Sequence, residues 1–75
     1  MLLPNKLFSF DESVLSKFPL VLSILKKSPM SVSRLYLEIE NRVSGGSEYI
    51  EILDCLYALG KISYDDEKGV LRYVI

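Results

Sequence analysis

The chain has 75 residues, nine Lys plus Arg against ten Asp plus Glu for a formal net charge of -1, no histidine and one cysteine. So short a chain is expected to form one domain over 1–75, and a near-neutral balance supplies no basic field to draw it to nucleic acid or anionic lipid. With 49% hydrophobic residues and a mean hydropathy of +0.24, it carries more apolar surface than a chain of this length buries by itself, so a partner surface is expected.

The first ten residues, MLLPNKLFSF, place Leu2, Leu3, Leu7, Phe8 and Phe10 around Pro4. This is too irregular for a helix and too apolar for a free tail. An N-terminal arm (about 1–10) is expected, either folded over the domain's own core or docked on a neighbouring subunit. Pro4, Asn5 and Lys6 interrupt any signal-peptide pattern, and the longest apolar run, Phe18 to Leu25, is too short to cross a membrane and is broken by Pro19 and Ser23. With a single cysteine, Cys55, the expected location is cytoplasmic.

Asp11 or Ser9 can cap a first helix, Ser9 and Glu12 having capping-box spacing. Val14, Phe18, Val21, Leu22 and Leu25 then mark one stripe, ending at Lys26 and Lys27, whose charge suits a helix C-terminus. Pro19 is expected to bend this helix or split it in two. Leu20 and Ile24 fall on the opposite side, wrapped by the arm or exposed to a partner.

Ser28, Pro29 and Met30 form a turn, and Ser31 can cap a second helix to about Arg42. Its buried face is Val32, Leu35, Tyr36, Ile39 and Val43, and Glu38 precedes Arg42 at ion-pair spacing. After the flexible Ser44, Gly45 and Gly46, Ser47 is expected to cap a third helix and Gly60 to close it in a left-handed turn. At about 100° per residue, Tyr49, Ile50, Ile52, Leu53, Leu56, Tyr57 and Leu59 fill about half its circumference. Glu48, Glu51, Asp54, Cys55 and Ala58 share the other half, with no base among them.

Beyond Gly60 the period changes to two: Ile62 and Tyr64 alternate with Lys61 and Ser63, Asp65 to Gly69 turn, and Val70 to Ile75 return as a second strand. Leu71, Tyr73 and Ile75 are expected on one side, Val70, Arg72 and Val74 on the other. The expected fold class is α+β, a small winged helix-turn-helix of three helices followed by a C-terminal β-hairpin wing.

Catalytic chemistry finds little support in these residues. Without histidine the chain lacks the commonest general base, the usual partner of a nucleophilic Ser or Cys, and the commonest transition-metal ligand. Cys55 has no second cysteine for a zinc site, and its carboxylate neighbours raise a thiol pKa. Asp65, Asp66 and Glu67 lack calcium-loop spacing and suit a solvated turn, while Glu48 and Glu51 are explained by the helix macrodipole. Neither an enzyme nor a metal or cofactor is expected. DNA binding through the third helix would set Glu48, Glu51 and Asp54 against phosphates. Each charge about 6 Å away costs on the order of 0.7 kcal/mol in water, so three cost roughly 2 kcal/mol, about thirtyfold. Arg34, Arg42, Lys61, Lys68 and Arg72 are the bases left for that alternative, a small winged-helix transcriptional regulator, and they are scattered.

Three stretches together, the opening MLLPNKLFSFDES, the central helix-turn-helix and the closing EILDCLYALGKISYDDEKGVLRYVI, resemble the small middle components of bacterial ABC-three-component systems. The stretch most like that family is LDCLYALGKI, Leu53 to Ile62. The resemblance implies two partners, a coiled-coil ATPase of the chromosome-maintenance kind and a third, variable effector, in a defence against phage or plasmid DNA. The chain would be their non-catalytic bridging subunit, with self-association through the wing edge left open. On that view Glu48, Glu51 and Asp54 are candidate contacts to a basic partner surface, with Leu2, Leu3, Leu20, Ile24, Val70 and Val74 as apolar candidates.

Overall fold

A computed structural model describes residues 12–75. The expected arm, Leu2 and Leu3, and the caps at Ser9 and Asp11 lie outside the described residues. The described elements are α1 (Glu12–Ser16), α2 (Phe18–Lys27), α3 (Val32–Ile39) with a 3-10 turn at Glu40–Arg42, α4 (Gly46–Ala58), β1 (Ile62–Asp65) and β2 (Val70–Tyr73). This α+β order, helices followed by an antiparallel two-stranded hairpin, is consistent with a small winged-helix-like fold.

Helices α1 and α2 are the expected first helix in two pieces. The break falls at Lys17, which places Pro19 in the first turn of α2, where a missing N–H costs no hydrogen bond. Val14, Val21 and Leu25 are buried as the stripe requires, and Phe18 and Leu22 pack against them half-buried.

Ser31 caps α3 as expected, its hydroxyl accepting the Arg34 N–H at 3.1 Å. Leu35 and Ile39 are buried, with Val32, Tyr36 and Val43 packed beside them. The expected Glu38–Arg42 pair is not formed. The α-helix stops at Ile39, the tighter turn takes Arg42 out of one-turn register, and Glu38 instead meets Arg34 at 3.5 Å.

The start of α4 also differs from the expectation. Gly45 rather than Ser47 is the cap, with φ 131°, a conformation in which only glycine is unstrained; Ser47 is already one residue inside the helix. The end is as expected: Gly60 has φ 75°, its N–H donates to Tyr57 O at 3.0 Å, and Lys61 N–H donates to Leu56 O at 2.9 Å, the paired bonds of a Schellman closure. Tyr49, Ile52, Leu53 and Leu56 face the core. Ile50, Tyr57 and Leu59, expected with them, are instead exposed. Ile50 and Tyr57 sit at the far margin of the apolar arc, and Leu59 lies past the last helical residue.

The hairpin pairs Ile62 with Tyr73, Ser63 with Arg72, Tyr64 with Leu71 and Asp65 with Val70. Ile62 and Leu71 close the core beneath the helices. Strand β2 stops at Tyr73, and Val74 and Ile75 beyond it are exposed. The Ser28–Met30 turn does more than reverse the chain. Met30 and Leu71 exchange both backbone hydrogen bonds, at 3.3 and 2.7 Å, so β2 is held between β1 and this turn. Tyr49 fastens α4 to α3: its ring lies 4.9 Å from that of Tyr36, its hydroxyl donates to Val32 O at 2.6 Å, and burial pushes the phenol pKa up to about 12.

Candidate functional site

The outward side of α4 has the most distinctive surface chemistry of the described residues. The helix is bounded at both ends by glycine geometry and anchored by four core side chains, so which residues face out follows from its phase. Glu51 and Asp54 are exposed there, and Ile50 and Tyr57, at 49% and 63% exposure, stand on the same outward half of the helix. No Lys or Arg occurs anywhere in α4. Acid and apolar surface are thus interleaved on a rigid element.

Glu48, the third acid expected at this face, sits differently. Its carboxylate accepts the Ser44 N–H at 2.9 Å and lies 3.6 Å from Lys17 Nζ, and its side chain is mostly covered. It closes the N-terminal turn of α4 and ties that turn to the break between α1 and α2. A helical wheel cannot find this, because Lys17 is remote in sequence.

The apolar candidates occupy other elements. Leu20 and Ile24 lie half-buried on α2 against the core, while Val70 is half-buried on β2 and Val74 is exposed just beyond it. Cys55 is partly covered on α4, and burial, then Glu51 and Asp54, raise its thiol pKa, which opposes thiolate chemistry at neutral pH. Among the described residues, no group of three or more His, Cys, Asp or Glu is placed to hold a metal ion. No described helix is long and apolar enough to cross a membrane.

The bases of the DNA-binding alternative are not brought together. Arg34 pairs with Glu38, and Arg72 Nε donates to Asp65 Oδ2 at 3.2 Å. Arg42, Lys61 and Lys68 are exposed on the 3-10 turn, the α4–β1 junction and the hairpin turn. Lys26, outside that set, lies 5.8 Å from the centre of the Tyr73 ring, a cation–π contact.

Asp65 organises the hairpin turn. Its Oδ1 accepts the Glu67 and Lys68 N–H groups at 3.0 and 3.1 Å. Those bonds, the Lys68 one foremost, together with Arg72, hold its carboxyl below the usual aspartate value. A depressed native pKa contributes stability above the unfolded value, about 4, and that contribution is lost as pH falls through the native one. The Glu67 and Lys68 amide NMR shifts are therefore expected to titrate together below about pH 4. In Asp65→Asn that shared titration disappears; its persistence would assign it to another carboxylate.

A protein-family model described as ABC-three component (ABC-3C) system Middle Component 7 matches residues 3–71. No curated protein and no solved structure shows significant similarity to the chain.

Proposed function

The chain belongs to the ABC-three component system Middle Component 7 family and so is one part of a multi-component system; from that premise we propose that it is a non-catalytic bridging subunit. In this proposal it acts as a single cytoplasmic domain that joins a coiled-coil ATPase to a third effector component, in defence against phage or plasmid DNA. The observation that carries the proposal is the outward side of α4, where Glu51 and Asp54 stand beside exposed Ile50 and Tyr57 with no base on the helix. An apolar patch edged by one sign of charge suits a protein partner of the opposite sign, charge steering the encounter and apolar contact holding it. The same face opposes phosphate, and the bases are dispersed, which argues against a DNA-binding regulator.

The test is an affinity pull-down of the tagged chain expressed with its neighbouring genes, analysed by mass spectrometry with and without nuclease. The expected result is recovery of an ATPase component that survives the nuclease. Recovery of DNA with no protein partner would overturn the proposal.

A further inference from the structure

Beside the acids of α4 lies a hollow that the bridging role leaves unexplained. It is open to solvent, about 600 Å³ in volume, and is formed where the N-terminal turns of α3 and α4 meet the hairpin. Val32, Tyr36 and Tyr49, buried or half-buried, make its floor, and Ile50 and Tyr64, each about half exposed, stand at its rim. Its lining carries no charged side chain. The floor is rigid, since the Tyr36 and Tyr49 rings touch and the Tyr49 hydroxyl is bonded to Val32 O. A preformed apolar recess with one end of its rim on an acidic helix has the form of a socket for a buried anchor residue.

Resting on the bridging proposal, we infer that this hollow receives an apolar side chain from another component of the system, on a segment that carries Lys or Arg about one helical turn from that anchor. The spacing comes from α4 itself. Asp54 lies one turn beyond the rim residue Ile50 on the outward side of the helix, so a segment seated over Ile50 brings a flanking residue to the Asp54 carboxylate. Charge selects against the other occupants. A second copy docked by a two-fold axis over α4 would set Glu51 and Asp54 against their own equivalents, and a nucleic acid would set phosphates there.

A photo-crosslinking amino acid placed at position 64, in the full chain co-expressed with the other components, tests this. The expected adduct is to another component, at a peptide with Lys or Arg within about four residues of the crosslinked apolar side chain. An adduct to a second copy of the chain or to nucleic acid, or none while the complex forms, would overturn the inference. In parallel, Ile50→Ala is expected to lower recovery of the complex about tenfold, through faster dissociation and with unchanged salt dependence. Full recovery with Ile50→Ala would remove the hollow from the interface while leaving the bridging proposal standing. Failure of the wild-type chain to recover any component would remove both.

Discussion

Leu56→Ala is expected to be among the most damaging single truncations in the described residues, costing about 2–5 kcal/mol. Leu56 is fully buried among Val14, Leu35, Ile39 and Ile52, and the helix that carries it also packs on α1 and β1, so the surroundings have little freedom to collapse into the space left. Total stability for 75 residues is on the order of 4–11 kcal/mol at the usual density per residue. A loss of about 3 kcal/mol then lowers Tm by roughly 12–24 °C. Leu37→Ala is the matched control: the same truncation on α3, at 64% exposure, is expected to change stability by less than about 0.5 kcal/mol. Urea titrations of the two variants followed by far-ultraviolet circular dichroism decide the matter. Equal losses would mean that α4 does not face the core as described.

The largest functional effect is expected from reversing both exposed acids of α4, in the double variant Glu51→Lys with Asp54→Lys. Each carboxylate opposite a base at about 6 Å contributes on the order of 0.7 kcal/mol in water, and reversal turns each attraction into an equal repulsion, a swing of roughly 2.8 kcal/mol for two. Screening at physiological ionic strength reduces this by about half, leaving roughly a tenfold loss of affinity, greater at low salt. The change belongs mainly to the association rate. Stability should hardly move, because both side chains are exposed and neither makes an ion pair among the described residues. Glu48 is left intact in this variant, since its contacts with Ser44 and Lys17 make it a structural group of the α4 start. Full-strength assembly by the double variant at both low and moderate salt would exclude this face as the contact.

What was legible in the residues is what local chemistry controls. Ser31 as a cap, Gly60 as a left-handed stop, the split around Pro19 and the change to a two-residue period after Gly60 each depend on a few adjacent residues, and each is present in the fold. The start of α4 falls two residues before the expected Ser47, because a serine after two glycines offers the same hydroxyl signal whether or not the backbone uses it. Glycine conformation took precedence there. The limits of the core were harder still. Ile50 and Tyr57 lie within an apolar arc wider than the surface available to cover it, and which margin is left out depends on where α1 and the hairpin pack. That same margin became the most informative part of the candidate site. Helical phase alone places Glu48 with Glu51 and Asp54, whereas its Lys17 partner comes from the fold, not the helix.

The paired bonds between Met30 and Leu71 also determine how load passes through the molecule. A hairpin joined to its helices only through the α4–β1 junction would behave as a hinged flap, bending at Gly60 whenever something pulled on its tip. Here the far strand is pinned to the turn between α2 and α3, so the hairpin is clamped along both flanks and acts as a stiff bracket. Force applied at the tip is carried into the α2 and α3 packing instead of peeling β2 away. In the proposed bridging role, that stiffness would pass displacement from one partner to the other with little slack.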